Sequence, residues 1–320
     1  MDKVLVQITG GLGNQLFQFA AGLSMVDGDP SRLDIEQKLG KPRSASKSTA
    51  DIFGFTWPHP INVVQVNQSR ITDFMSRVTG YCLRMGVKPS VLESRKFVES
   101  TILFLSSLLV STFLRKRRNM VIGHGVGYSK LDNNYSNPYL VGYFQSYKYV
   151  EKNYQYLMKA KIQCVGPELE QLNLVAIEEK PLVVHLRFGD YLLEKNFGIP
   201  SREFYSTSIS RLLARGGCKS IWVFSDDLSK AREKLDLNDT LPIRWINSVD
   251  DSVVGTLQAM RLGQAYVIAN STFSWWAAYL SLNPRAEVVA PSPWFMGMED
   301  PKELIPLNWE RVDAGYQGKH

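Results

Sequence analysis

Two hydrophobic patterns recur along this chain: short unbroken apolar runs, and longer stretches with apolar residues at helical spacing. In the second half the runs Leu182–Leu186, Ile221–Ser225, 243–246, Ala265–Ala269 and Glu287–Ala290 read as strands. An apolar run without alternation is what a parallel strand covered on both faces requires. Helical stretches separate them, near 201–215, 228–235, Asp251–Leu262 and from about 272 to Leu282. Strands alternating with helices predict a parallel sheet with right-handed crossovers. The first half is less regular. Val4–Ile8 reads as a strand, and Leu16, Phe19, Ala20 and Leu23 then share one helix face. Leu33–Ile35 and Ile61–Val66 are further expected strands, Tyr139–Gln145 is an aromatic strand-like run, and Ser146–Ala160 reads as helical. The polar stretch Gly40–Thr49 is expected to be a loop, and residues 70–118 mainly helical. A boundary near 163–180, around Gly166-Pro167 and Glu178-Glu179-Lys180, predicts domains at 1–165 and 166–320.

Composition narrows the class. The 320 residues suit one large or two medium α/β domains; they are 44% hydrophobic and 21% charged, an ordinary globular balance with ample apolar material for a core. A net charge of +6 suits an anionic substrate or an acidic membrane surface. The cations are too scattered for a nucleic-acid stripe. Cys82, Cys164 and Cys218 are far apart, without metal spacing or a disulfide framework, which fits a reducing cytosol. The start MDKVLVQITGG runs into a strand without a secretory apolar region, so export is not expected. Thr101–Leu114 is an uncharged run of 14 residues followed by basic residues at 115–118. It is short of the ~20 residues that span a bilayer. It reads as a core helix, or as an interfacial helix touching anionic lipid.

Candidate chemistry collects at strand ends. HLRFGD (185–190) closes one strand, SDD (225–227) the next, and NSTFSWW (270–276) a third. Each has a plain structural account: an Arg–Asp pair closing a strand, Asp226 or Asp227 capping a helix, Ser271 or Thr272 capping the helix that carries Trp275 and Trp276. Three such clusters on strands of one sheet point into one crevice, because open α/β sheets bind ligands beyond the carboxyl ends of their strands. The set suits a nucleotide diphosphate. Arg187 can hold a phosphate bidentately. Ser271, Thr272 and Ser274, with N–H groups of a helix start, can hold further oxygens. An acidic group of the SDD turn can accept from ribose or guanine. In the first half, Gly10–Gln15 joins a strand to a helix, and Gly11, Gly13 and Asn14 would let backbone and amide approach an anion. The plain alternative there is a tight strand–helix turn. Gly142, Tyr143 and Gln145 line a cleft or pack in an aromatic core.

The strings GGLGNQLFQFAAG (10–22), GYFQS (142–146), HLRFGDY (185–191), FSDD (224–227) and NSTFSWWAAYL (270–280) together resemble the bacterial alpha-1,2-fucosyltransferases, glycosyltransferase family 11. The resemblance implies an α/β, GT-B-like fold: two Rossmann-like domains with parallel sheets facing a central cleft. It implies an inverting transfer of L-fucose from GDP-fucose to the 2-hydroxyl of a galactose residue, with no cofactor and no required metal. Arg187 would hold the diphosphate, with His185 and Asp190 beside it as catalytic candidates. Asp226, Asp227 and the loop Ser271, Thr272, Phe273 and Ser274 would bind the nucleotide end, and Gly11, Gly13 and Asn14 would reach the donor from the N-terminal domain. The family usually carries a second arginine where this chain has Phe188. Asp190 is the first candidate for the base that deprotonates the acceptor.

Two other readings stay open at this point. One is a related transferase using another GDP-sugar or linkage. The other is a silent nucleotide- or glycan-binding module, to which Phe188 points. The expected partners are GDP-fucose and a galactose-terminated acceptor, free or lipid-linked, in O-antigen or surface-polysaccharide synthesis. The expected location is the cytoplasm, peripheral on the inner membrane face through 101–118.

Overall fold

The computed structural model describes residues 3–38, 51–66, 120–122, 127–128, 130–131, 138–163, 165–192, 196–235, 237, 241–301 and 303–316. The expected loop at Gly40–Thr49, the helical region 70–118 with its apolar run, and two of the cysteines, Cys82 and Cys164, lie outside these residues. No helix among the described residues is long and apolar enough to cross a membrane. The chain forms two compact units. One comprises Met1–Phe53, Trp57–Ala160 and Met298–Leu304; the other comprises Gly54–Thr56, Lys161–Gly297 and Ile305–His320.

The first unit opens with β1 (Val4–Gln7), α1 (Leu12–Met25) and β2 (Leu33–Lys38). Phe55–Thr56 forms a short β3, which belongs to the second unit. Then come β4 (Asn62–Val66), β5 (Met120–Ile122), β6 (Tyr139–Val141), α2 (Tyr147–Glu151) and α3 (Tyr154–Met158). Among the described residues, five strands of this unit form a wholly parallel sheet in the order β4-β2-β1-β6-β5. The expected helical face of α1 is buried, with Leu16, Phe19, Ala20 and Leu23 all in the core. Gly22 lets it press on the sheet: a Cβ there would lie 2.5 Å from Val6 and 2.7 Å from Leu33. Two expectations change. The run Tyr139–Gln145 stops being a strand after Val141, and Phe144 takes φ +51°, which a sheet ladder does not accept. The stretch Ser146–Ala160 is two short helices, with Ser146 capping the first by accepting from the Lys148 N–H.

In the second unit, β7 (Lys161–Ile162) pairs antiparallel with β3. There follow α4 (Pro167–Glu179), β8 (Pro181–Leu186), α5 (Arg202–Ala214), β9 (Ser220–Ser225), α6 (Leu228–Lys234), β10 (Ile243–Ile246), α7 (Val253–Met260), β11 (Ala265–Val267), α8 (Thr272–Tyr279), β12 (Glu287–Ser292) and β13 (Glu310–Asp313). The order β10-β9-β8-β11-β12-β13 is parallel throughout. Counted by first appearance in this sheet it reads 3-2-1-4-5-6, the doubly wound arrangement. Strands β8 and β9 are buried at every position, as their unbroken apolar runs require. Trp275 and Trp276 are core residues: both are fully buried, and Trp275 stacks on Tyr279 at 4.5 Å.

Helix α4 and strand β13 are among the elements that the sequence pattern misses. Helix α4 occupies the stretch read as a boundary. Gly166-Pro167 starts that helix: a Cβ at 166 would lie 2.2 Å from the Asp250 carboxyl, which accepts the Glu168 and Leu169 N–H groups. Strand β13 adds the sixth strand.

Candidate functional site

The geometry follows from the strand order. The order reverses between β8 and β11, so these strands lead the chain away on opposite faces. A crevice opens beyond their carboxyl ends. HLRFGD closes β8 and NSTFSWW follows β11, so two of the three polar clusters flank this switch point; SDD closes the neighbouring β9.

Register brings the first pair together. Leu186 is partnered with Ser225, so the next residues out, Arg187 and Asp226, emerge side by side. Arg187 Nη1 lies 3.2 Å from Asp226 Oδ2, and Asp226 Oδ1 accepts the Phe188 N–H at 2.9 Å. Asp226 therefore holds both the guanidinium and the backbone of the turn. Gly189 makes room for this: a Cβ there would lie 2.6 Å from Asp226 Oδ2. Asp227 has a different duty. It caps α6, accepting the Lys230 N–H at 3.0 Å and pairing with the Lys230 ammonium. These contacts hold its carboxyl below the ordinary aspartate range, the Lys230 side-chain bond contributing most.

His185 is buried within β8, its ring 6.3 Å from that of Phe273. Burial, with a smaller push from the neighbouring Arg187 charge, drives its pKa down to about 3. It is neutral at physiological pH and a poor proton acceptor, since an effective base titrates near the working pH. The turn Gly189–Leu192 carries Asp190; the side chain of Asp190 lies outside the described residues.

At the end of β11, Ser271 caps α8 and accepts the Phe273 N–H at 3.3 Å. Thr272 and Phe273 occupy the first turn and are part-exposed, and no acidic residue occupies that turn. Ser274 is wholly buried, and its hydroxyl donates to the Ser271 carbonyl at 3.2 Å. That bond ties the hydroxyl to the start of the helix. Sequence reasoning passed over Asn270 and Tyr191. The Tyr191 hydroxyl donates to the Asn270 carbonyl, while Asn270 Nδ2 donates to the carbonyls of Phe197 and Gly198. Both residues stood inside the quoted motifs, which was the one available signal.

Phe188 is explained by alternation. Leu182, Val184, Leu186 and Phe188 share one buried cluster with Phe204 and Leu212 of α5, whereas His185 lies outside that cluster. Position 188 thus feeds the core under α5 with apolar surface.

The first unit has its own switch point, between β1 and β6. There the turn Gly10–Asn14 meets the segment 142–145. Gln18 Nε2 donates to the Gly142 carbonyl at 2.9 Å, and Gln145 Nε2 donates to Asn14 Oδ1 at 2.9 Å. Helix α1 begins at Gly11 without a side-chain cap and without an acidic residue in its first turn. A Cβ on Gly11 would meet nothing within 4 Å, so the fold itself does not require glycine there. Gly10 does need to be glycine, with φ +77° and Asn14 Nδ2 only 2.9 Å from a Cβ. Gly13 is buried in the first turn of α1, and Asn14 is part-exposed.

Two parallel sheets, each with a polar or glycine turn at its switch point, define a doubly wound α/β protein. The chain belongs to glycosyl transferase family 11, whose model matches residues 89–301. It is 25% identical over 181 residues to an alpha-1,2-colitosyltransferase of Escherichia coli, covering 54% of this chain and 62% of that one. It is 30% identical over 118 residues to the O-antigen biosynthesis glycosyltransferase WbnK of Escherichia coli, covering 36% of this chain and 39% of the relative. The chain thus matches less than two thirds of the length of either relative. Among solved structures it is similar to NodZ alpha-1,6-fucosyltransferase soaked with GDP-fucose, at TM-score 0.46 and 11% identity over 94% of this chain and 99% of that one. It is also similar to POFUT1 in complex with GDP-fucose, at TM-score 0.44 and 11% identity over 90% and 98%.

Proposed function

We propose that this chain moves L-fucose from GDP-fucose to the 2-hydroxyl of a galactose residue in an O-antigen or surface-polysaccharide glycan, inverting the sugar carbon. The observation that supports this most is the Arg187–Asp226 pair, on β8 and β9 beside a doubly wound switch point in a family 11 chain. An acceptor oxygen attacks C1 of the sugar, the C1–O bond to the diphosphate breaks, and GDP leaves with the bonding electrons. Negative charge grows on the diphosphate. Arg187, charged at any working pH, offers donors to it. The α8 start at Ser271, Thr272 and Phe273 holds further oxygens, and Gly11, Gly13 and Asn14 offer N–H groups from the α1 start. Asp226 keeps Arg187 aligned, and its remaining acceptor capacity serves the nucleoside. The acceptor hydroxyl loses its proton to Asp190, the first candidate for the base.

A second reading has a specific observation behind it. The relative named as an alpha-1,2-colitosyltransferase suggests the same linkage with another deoxy-sugar donor. One experiment covers both. The protein is incubated with GDP-fucose or GDP-colitose and a panel of galactosyl disaccharides, GDP release is followed, and product linkages are determined. The first reading expects fucose on the 2-position of galactose. GDP release with the colitose donor alone selects the second reading, and no transfer from either donor removes both.

A further inference from the structure

A cavity of about 550 Å³ in the second unit plays no part in the chemistry above. It lies among the turn after β8, the start of α5, helix α6 and the chain that follows β12 and β13. Alternation fixes the side of the sheet on which it opens. Leu182, Val184, Leu186 and Phe188 face the core under α5, and Ile199 packs against the same cluster. His185, between them, turns its ring towards Phe273 of α8 on the other side. Phe188 and Ile199 line the cavity, whereas Arg187, Asp226 and residues 270–276 do not. The cavity therefore belongs to the α5–α6 side of the sheet, apart from the proposed donor site.

Its walls divide by chemistry. Phe188, Leu192, Ile199 and Met296 form an apolar side. Arg202, Lys230 and Lys234 set three cations against two carboxylates, Glu203 and Glu233. Two of the cations are committed. Arg202 Nη2 donates to the Glu233 carbonyl at 2.7 Å, and Lys230 pairs with Asp227. Lys234, half-buried in the last turn of α6, has no hydrogen-bond or ion-pair partner among the described residues. Burial holds its ammonium below the ordinary lysine range; the Glu203 carboxylate opposes this and the Arg202 charge adds to it. A partly desolvated ammonium without a bonded counter-charge gains from an anion placed beside it. The volume lies within the roughly 300–1,000 Å³ of small-molecule sites, which combine apolar walls with a few placed polar groups. We propose that this cavity is a second binding site, one that takes a small organic anion. The phosphate or carboxylate of that anion pairs with Lys234, and its apolar body lies against Phe188, Leu192 and Ile199.

The test is calorimetric titration of the full chain with 1-naphthyl phosphate and with 1-naphthoate. Inorganic phosphate, which lacks the apolar body, and 1-naphthol, which lacks the charge, are the controls. At least one aromatic anion should bind at least about tenfold more tightly than either control, and the tighter of the two identifies the head group. Lys234→Gln should weaken that binding at least about tenfold, as losing a hydrogen bond to a charged group does. Lys234→Arg should keep it within about threefold. Leu192→Glu, at a position 55% exposed, spares the core and should weaken binding by placing a negative charge on the apolar wall. Arg187→Ala should bind as wild type does. The proposal fails if neither anion binds better than the controls, or if Lys234→Gln keeps wild-type affinity. Should Lys234→Gln not fold, wild-type affinity in Leu192→Glu overturns it instead. A loss in Arg187→Ala as large as in Lys234→Gln would put the anion in the donor site and overturn it as well. None of these measurements needs turnover, so failure of the proposed transfer reaction would show separately.

Discussion

Asp226 Oδ2 stands 3.2 Å from Arg187 Nη1 while its other oxygen accepts the Phe188 N–H, so one carboxylate ties together the ends of two neighbouring strands. The pair is part-exposed, and such pairs add at most about 1 kcal/mol to stability. Its value therefore lies in aiming the guanidinium. Asp226→Asn should melt within about 1 kcal/mol of wild type yet lose at least about tenfold in kcat/KM, since misaligning a preorganised donor costs more in the transition state than in the fold. Arg187→Ala should lose roughly 10²–10³ in kcat, the usual effect of removing one such donor. Thermal melts and steady-state GDP release check both. Near-wild-type turnover of Arg187→Ala would end its proposed role.

Two glycines should respond in opposite ways to the same methyl group. At Gly189 a Cβ would press on the Asp226 carboxylate, so Gly189→Ala should disturb the Arg187–Asp226 pair and reduce transfer. At Gly11 the methyl meets open space and φ is −71°, so Gly11→Ala should stay within about 1 kcal/mol of wild-type stability. If ligand backbone contact is the reason for glycine there, GDP-sugar affinity should nevertheless fall. Calorimetric titration with GDP and GDP-fucose tests this. Unchanged affinity in Gly11→Ala would remove that turn from the donor site.

His185 sets a pH dependence of stability. Its folded pKa of about 3 lies below its unfolded value of about 6.5. Between these values the unfolded chain binds the proton and the folded chain does not. Stability is therefore greatest above about pH 6.5 and declines as pH falls from there toward 3. His185→Leu should remove that part of the decline, leaving the losses due to carboxylates at lower pH. Urea unfolding at a series of pH values reads this out. An unchanged slope between pH 6.5 and 4.5 in the variant would show that His185 is not responsible.

Trp275 should be the most costly position in the third motif. It is fully buried, stacked on Tyr279 and 5.6 Å from Trp309. Trp275→Ala should lose about 3–5 kcal/mol, the range for emptying a large aromatic site. Chemical denaturation measures it. A loss below about 1 kcal/mol would mean that the site collapses freely.

The strands of the second unit were legible because burial on both faces favours an apolar run without alternation, as in Leu182–Val184 and Ile221–Phe224. Helix α4 was not legible. Leu174 and Ile177 are more than 70% exposed on it, so its apolar residues do not mark one buried face, and its start depends on Asp250, distant in sequence. The motifs were visible as strings of residue types. Sequence could not divide them into those that cap helices, such as Asp227 and Ser271, and those that stand part-exposed at the strand ends, such as Arg187.

By itself the sequence determined the alternating α/β pattern, the placement of glycine and polar residues at strand ends, and the family to which those strings belong. Only the tertiary structure decided the strand order that puts β8 beside β11, the register that sets Arg187 against Asp226, and the burial that keeps His185 uncharged. The physical reason is range. Strand and helix preferences act over a few neighbouring residues. Pairing and desolvation depend on groups that meet only once the sheets have formed.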